Sequence, residues 1–315
     1  MIKAEMLSHS ESPASKEVSQ MVANQFKNCL PHSKGESQLH VLSFQGESDK
    51  LKQLLILIRA EPNRLNAINQ RNRLGCTPLR LAATSGHLDC LNLLLEAGAS
   101  VDISDVKCQT PLFVAIKNRR YECAEKLLQA GACPEGDSSN SSTPLYVAFM
   151  NRDLRCLLLL LEYGAHPDQL THSVQFLPTK YTPKITSLRA AVDYLNGPED
   201  TYKAVRALLI RGCNTDNFTY HSIIYQDNER LVDLLYNFGL DSTTRDVNNR
   251  LASELDLNNQ AKRKLCLLRT TPRSLLSACR VAIISCLAKP RRNLCVLDCL
   301  PLPASMVSYL KFNDV

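Results

Sequence analysis

The chain has 315 residues, 44% of them hydrophobic and 22% charged, which are ordinary values for a globular protein with ample material for a core. Its 37 lysines and arginines against 31 acidic residues give a formal net charge of +6. No apolar run reaches the roughly 18 residues of a membrane-spanning helix, so no membrane association is expected.

The first 36 residues are rich in serine and lysine and poor in large apolar side chains. Residues 1–36 are therefore expected to form a flexible lead-in. They lack the apolar core of a secretory signal. The expected location is inside the cell, in the cytoplasm, with the nucleus left open.

The chain contains 13 cysteines, an odd number, and no two of them form a C-x-x-C pair. This usage disfavours both a disulfide framework and a zinc module. The cysteines are expected to be reduced and to serve as small core residues. No metal or other cofactor is expected.

Three markers recur every 33 residues through the middle of the chain. The first is Thr-Pro-Leu, the second is Gly-Ala, and the third is a single cysteine. They lie at Thr77-Pro78-Leu79, Thr110-Pro111-Leu112 and Thr143-Pro144-Leu145; at Gly98-Ala99, Gly131-Ala132 and Gly164-Ala165; and at Cys90, Cys123 and Cys156. Independent markers that keep one register indicate an internal repeat.

Each repeat can be assigned a local structure. The threonine hydroxyl is suited to cap a helix start, and the following proline fits the first helical position. The glycine is suited to the left-handed residue that ends a second helix. The sequence therefore predicts a helix, a turn, a second helix and a loop in each unit. The cysteine column is expected to pack in the core, because neighbouring helices lie about 8–10 Å apart and a disulfide needs Cα atoms within about 7 Å.

The period and the Thr-Pro-Leu signature resemble the ankyrin repeat, although Arg80, Phe113 and Tyr146 replace its usual histidine. Looser copies begin near residues 37, 187 and 218, so about six repeats are expected within residues 37–268. The resemblance implies an all-α ankyrin-repeat solenoid. Residues 168–186 and 195–200 depart from the period, as binding loops or as tolerated loop drift.

The last 45 residues carry apolar surface that a segment this short cannot bury alone. Leu275, Cys279 and Ile283 follow the spacing i, i+4 and i+8, so they share one helix face. Leu300-Pro301-Leu302-Pro303 follows, and Tyr309 lies near the end. This segment either packs on the body of the protein or receives a partner.

The two patterns of the tail resemble a SOCS box, a small helical domain expected over residues 270–315. Residues 274–283 resemble its elongin C-binding motif, the BC box, and residues 297–310 resemble a cullin box of the cullin-5 type. The resemblance implies that elongin C contacts Leu275, Leu276, Cys279 and Ile283. It also implies that the cullin contacts Leu300, Pro301, Leu302, Pro303 and Tyr309, and that Met306, Tyr309 and Leu310 close the last helix against the box.

Ankyrin repeats followed by a SOCS box resemble the ankyrin repeat and SOCS box family. The resemblance implies a non-catalytic substrate adaptor of a ubiquitin ligase with elongins B and C, cullin-5 and its RING protein as partners. An unidentified protein would bind the ankyrin surface and would be ubiquitinated for proteasomal degradation. No nucleophile elbow, zinc-protease or phosphate-loop motif occurs, so no enzyme activity is expected.

Two other interpretations stay open from the residues alone. The chain could be a plain ankyrin scaffold whose C-terminal helices only cap the solenoid. Residues 257–297 also carry nine basic and no acidic residues, which can indicate nucleic-acid binding. We expect a solvated rim around a protein-binding helix instead, because these charges alternate with Leu, Ile, Val and Cys rather than with stacking aromatic residues.

Overall fold

The structure is a computed structural model that describes residues 37–59, 63–170, 186–195, 197–213, 215, 218–240, 242–243, 245, 249–271, 274–286, 294–299 and 301–311. Within these ranges the ordered elements are helices, and no extended strand is formed. The predicted all-α class is confirmed. The lead-in and most of the irregular stretch 168–186 lie outside the described residues.

The α-helices are numbered here in chain order. They are α1 Gln38–Gln45, α2 Ser48–Arg59, α3 Arg64–Ile68, α4 Pro78–Ser85, α5 Leu88–Glu96, α6 Pro111–Lys117, α7 Tyr121–Gln129, α8 Pro144–Met150, α9 Leu154–Glu162, α10 Ser187–Tyr194, α11 Pro198–Ile210, α12 His221–Tyr225, α13 Glu229–Asn237, α14 Gln260–Thr270, α15 Leu275–Cys286 and α16 Ala304–Leu310. Two short 3-10 helices span Ala252–Glu254 and Leu294–Cys299.

The chain divides into two units, and the first is Met1–Cys133. Its helices form the pairs α1/α2, α4/α5 and α6/α7. The first helices of successive pairs pack on each other, as do the second helices, which is the layered arrangement of a repeat protein. The short helix α3 lies in the connection between the first two pairs, where the sequence pattern had indicated only a loop.

The second unit is Pro134–Val315, and its repeats are the pairs α8/α9, α10/α11 and α12/α13. Helix α14 packs on both α12 and α13 and covers the end of this stack. The expected loop insert over residues 195–200 was partly wrong. Pro198, Glu199 and Asp200 instead form the first turn of α11, which has 13 residues against nine in α9. Proline at the first position and acidic side chains in the first turn both favour a helix start.

The predicted helix caps are confirmed. The hydroxyl of each capping threonine accepts a hydrogen bond from the backbone N–H three residues later, at 3.2–3.3 Å, for Thr77, Thr110, Thr143 and Thr186. The glycines after the second helices have the predicted left-handed backbone, with φ of 95° at Gly98 and 89° at Gly131 and Gly164. Local capping therefore fixes both ends of the helix pairs α4/α5, α6/α7 and α8/α9.

The repeated cysteines lie in the core, as predicted. Cys90, Cys123 and Cys156 are almost fully buried, and none of them forms a disulfide. Burial raises the pKa of the Cys90 thiol, and it raises the pKa of Cys123 to about 11, with the charge of Glu122 adding to the rise. These side chains are neutral thiols at physiological pH.

This chemistry predicts a clear difference in alkylation among the cysteines. At pH 8 iodoacetamide should modify the exposed Cys133, Cys279 and Cys299, but not Cys90 or Cys123 in the folded chain, because the thiolate is the reactive form. Peptide mass spectrometry after a timed reaction would measure this. Modification of Cys123 as fast as Cys133 would contradict the buried position.

Candidate partner-binding site

Helix α15 presents its predicted apolar stripe to solvent. Leu275 is 80% exposed and Ile283 is 40% exposed, and Cys279 between them is also exposed. The three side chains lie on one face, as their spacing requires. Packing within the described part of this chain does not use this row of a leucine, a cysteine and an isoleucine along two helical turns, so this face is a candidate surface for a partner.

The opposite face of α15 is held by the repeats. The helix packs on α13, and the side chain of Val281 lies over the backbone of Gly239, which follows that helix. Arg280, one residue before, is only 6% exposed. The helix is therefore anchored on one side and open on the other.

The buried arginine connects the two halves of the tail. The guanidinium of Arg280 lies 3.4 Å from the centre of the Tyr309 ring on α16, a cation–π contact. Arg280 thus does not belong to the solvated rim in which the sequence analysis placed it. This burial was hard to predict, because one arginine in a basic segment looks like any other. The one indication of its burial in the sequence is that Arg280 lies between the stripe of Leu275, Cys279 and Ile283 and the inner face of α15.

The segment predicted to bind the cullin has a mixed environment. Pro301 and Pro303 are exposed and Leu302 is partly exposed. Beside them lies a shallow depression of about 310 Å³. Its lining residues are Leu297, Asp298, Leu302, Ala304, Val307, Ser308 and Lys311. An apolar contact surface is thus available next to the two exposed prolines.

The last helix only partly follows the prediction. Leu310 is buried and Tyr309 is partly buried under Arg280, so both close the helix against the box. Met306 is 47% exposed and does not. The end of α16 is also fixed from the repeats, since Nη2 of Arg206 on α11 donates a hydrogen bond to the carbonyl oxygen of Lys311 at 3.1 Å.

Two of the predicted site residues cannot be placed in this site. The side chain of Leu276 and the whole of Leu300 lie outside the described residues. The structure brings Leu275, Cys279 and Ile283 together on one face. Of the residues predicted for the cullin, Pro301, Leu302 and Pro303 lie on the segment that leads into α16, and Tyr309 lies on α16 itself.

The basic residues on α14 are engaged within the chain. Nζ of Lys264 lies 2.9 Å from a carboxylate oxygen of Asp233 and 3.5 Å from one of Glu229, and the hydrogen bond with Asp233 raises the pKa of this lysine. Nη1 of Arg269 donates to the hydroxyl of Ser253 at 2.5 Å, and Nε of Arg263 donates to the side chain of Asn258 at 2.9 Å. Lys264 is therefore compensated by carboxylates, whereas the contacts of Arg263 and Arg269 are with neutral groups.

The contact of α15 with the repeats leads to a prediction at Gly239. Its φ is 92°, and a Cβ there would lie 2.8 Å from Cγ1 of Val281. Gly164 has nearly the same backbone, with φ of 89°, but open space around it. Alanine at either position should cost about 1–2 kcal/mol of backbone strain, and only Gly239→Ala should also displace α15.

Hydrogen exchange of residues 275–286 would distinguish the effects of the two substitutions. We expect faster exchange in Gly239→Ala than in Gly164→Ala, because only the first substitution pushes on Val281. Equal exchange of α15 in both variants would contradict its anchoring on α13.

Comparisons with known proteins agree with this architecture. A model described as "Ankyrin repeats (3 copies)" matches residues 14–105, 39–136 and 104–171, and a model described as "SOCS box" matches residues 271–311. A crystal structure of the human ASB11 ankyrin repeat domain, with 24% sequence identity and a TM-score of 0.51, covers 76% of this chain and 100% of its own, which supports the fold. None of the helices that the structure describes has the length and apolar content needed to cross a membrane.

Two relatives extend the similarity. "Ankyrin repeat and SOCS box protein 1" of Homo sapiens is 40% identical over 301 residues, which cover 87% of this chain and 88% of the relative. "Ankyrin repeat and SOCS box protein 12" of Mus musculus is 60% identical over 45 residues, 14% of this chain and 15% of that protein. Proteins that combine these domains are substrate adaptors of cullin–RING ubiquitin ligases rather than enzymes, and the SOCS box indicates binding to elongins B and C and a cullin. The chain belongs to the ankyrin repeat and SOCS box family.

Proposed function

We propose that this protein is the substrate-recognition adaptor of an elongin B/C–cullin-5–RING ubiquitin ligase that works in the cytoplasm. One observation carries the proposal: a helix held against the last repeat by Val281 leaves Leu275, Cys279 and Ile283 open on its other face. An apolar helix face of this kind fits the groove of a partner protein.

We assign separate partners to the two halves of the tail. Leu275, Cys279 and Ile283, with Leu276, would contact elongin C, and Leu275 would be the main apolar anchor. The prolines Pro301 and Pro303, with Leu300 and Leu302, would contact cullin-5. Because Tyr309 already stacks on Arg280, its contribution to the cullin surface would be to hold α16 in place.

The ankyrin repeats would hold a protein target. The ligase would then transfer ubiquitin to lysines of the bound target and mark it for proteasomal degradation. The adaptor itself would add no catalytic group, because its contribution is to bring the target and the charged enzyme together.

The test is co-expression with elongins B and C, followed by size-exclusion chromatography. We expect one stable complex of the three chains. Adding cullin-5 or cullin-2 in equal amounts would then test the finer assignment, and we expect cullin-5 to bind more tightly. A chain that elutes without elongins would favour the plain ankyrin scaffold, in which α14 and α15 only cap the repeats.

A further inference from the structure

A groove on the first unit lies between α2, α3 and α5. Its volume is about 380 Å³, and the buried side chains of Leu55 and Ile68 are part of its lining. Ile56 lines the same groove and is 62% exposed, and Leu65 on α3 is 50% exposed. The groove therefore combines an apolar floor with one large apolar side chain, Ile56, that the fold of this unit leaves in solvent, while Leu65 is exposed outside the lining.

Positive charge surrounds this floor. Lys52, Arg59 and Arg64 line the groove and are exposed, and Glu96 is its single acidic residue. Among the described residues, no carboxylate forms an ion pair with any of the three cations. The groove carries a net excess of two positive charges that the described part of the chain leaves uncompensated.

The sequence of α2 explains how the charges and the apolar surface come together. Lys52, Ile56 and Arg59 follow the spacing i, i+4 and i+7, which places them on one face. Leu51 and Leu55 on the adjoining face are buried and attach the helix to its neighbours. The outer face of α2 is thus presented without a role in packing.

We infer that this groove binds an acidic peptide segment of a target protein. An apolar side chain of the segment would lie on Leu55, Ile56 and Ile68. Flanking carboxylates would pair with Lys52, Arg59 and Arg64, since opposite charges across an interface fix orientation and speed encounter. This inference rests on the proposed function, because it describes the kind of target that the repeats present to the ligase.

A nucleic acid fits this groove less well than an acidic peptide. The lining contains no aromatic ring on which a base could stack. The apolar floor of the groove would contact an apolar side chain or another apolar group, which a phosphate backbone does not supply.

The experiment uses the full chain purified with elongins B and C and a displayed library of random 16-residue peptides. We expect the selected peptides to be enriched in Asp and Glu around a Leu, Ile or Phe. One selected peptide, labelled with fluorescein, would then be measured by fluorescence anisotropy. Selection of basic or neutral peptides only would overturn the inference.

Two matched variants locate the binding. Lys52→Glu with Arg59→Glu and Arg64→Glu should weaken the labelled peptide by at least about tenfold, since every 1.4 kcal/mol corresponds to a factor of ten. The control variant carries Arg73→Glu, Lys107→Glu and Lys126→Glu, three exposed cations of the same unit outside the groove. It makes the same change in net charge and should bind the peptide almost normally. Equal weakening in both variants would mean unspecific attraction and would overturn the site.

The apolar lining of the groove can be tested separately from its charges. Ile56→Ser should also weaken binding of the peptide several-fold, and so should serine in place of the central apolar residue of the peptide. Binding that ignores these changes, or that a single-stranded oligonucleotide displaces completely, would show a general polyanion surface instead. Deletion of residues 1–36 tests the remaining occupant: a gain of more than about tenfold would mean that the chain covers the groove with its own N-terminus.

Elongin retention in the same preparations distinguishes a failure of the proposed ligase function from a failure of the inference about the groove. If the groove variants lose the peptide but keep elongins B and C, both the proposed function and this inference stand. If all variants keep the elongins and no acidic peptide binds, only the inference fails. If the unmodified chain does not retain elongins but still binds the acidic peptide in the groove, the ligase assignment fails and the groove remains.

Discussion

Leu275→Asp together with Cys279→Asp is expected to abolish co-purification with elongins B and C. Leu275 is 80% exposed, and Cys279 lies one helical turn further on the same face. Loss of a central apolar anchor costs about 2 kcal/mol or more, and a carboxylate buried in an apolar interface without a partner adds to this cost. A fall in affinity of about 100-fold or more is therefore expected.

The matched control for this prediction is Leu267→Asp. Leu267 lies on the preceding helix α14 and is 55% exposed, so it carries a similar change at a similar exposure outside the stripe. It should leave elongin binding almost unchanged. Circular dichroism should show the same helix content in both variants, because neither position is buried. A double variant that still brings down elongins would show that the BC-box assignment is wrong.

The thiol of Cys279 provides a second test of the same surface. The alkylation predicted for its exposed thiol should stop when elongins are bound, while Cys133 in the first unit should react as before. Unchanged alkylation of Cys279 in a complex that contains elongin C would place the contact elsewhere on the chain.

The repeats were predictable from sequence because their signals are local. A threonine three residues before the N–H that it caps, a proline at the first helical position and a glycine at the end of a helix act within one or two turns. These residues determine where helices begin and end in each copy, as Thr110, Pro111 and Gly131 do in the third pair. Periodicity then makes each observation count several times.

The features that sequence reasoning missed depend on contacts across longer separations. Helix α14 covers the stack through Ala261 and Leu265, yet four of its eleven residues are basic and none is acidic, which favours a solvated helix. Arg280 is buried and lies over the ring of Tyr309, which is 29 positions later in the sequence. A single sequence gives no means of pairing an arginine and a tyrosine at such a distance, so the join between the halves of the tail could not be predicted.

The same contacts bear on how the proposed adaptor would work. Val281 fixes α15 to the end of α13, and Arg206 on α11 fixes the end of α16. The surfaces assigned to elongin C and to the cullin are therefore tied to the last repeats by two separate contacts. In the proposed ligase, this attachment would limit how far a target held by these repeats moves relative to the catalytic partner, which is the condition for efficient transfer by proximity.

Asp105→Ala is expected to be among the most destabilising single changes in the first unit. One carboxylate oxygen of Asp105 accepts hydrogen bonds from the N–H groups of Lys107 and Gln109 at 2.8 and 2.9 Å, and the other forms an ion pair with Arg80. Both side chains of the pair are largely buried. Loss of the carboxylate leaves a buried guanidinium without its charge partner, which typically costs about 3–5 kcal/mol.

The preceding repeat supplies the control for this ion pair, because the equivalent residues there form neutral hydrogen bonds. There Nε2 of His40 lies 2.9 Å from the carbonyl oxygen of Cys76, and Asn72 accepts from the N–H groups of Leu74 and Cys76 at 3.0 and 2.9 Å. Asn72 is 33 positions before Asp105, so Arg80→His with Asp105→Asn copies the neutral arrangement into the next repeat.

The double variant should be more stable than Asp105→Asn alone by about 1–3 kcal/mol of coupling. Amide exchange in α4 and α6, measured with α13 as an internal reference, would report this difference as a change of about tenfold to a hundredfold in rate. If the double variant exchanges as fast as Asp105→Asn, the ion pair does not hold these repeats together.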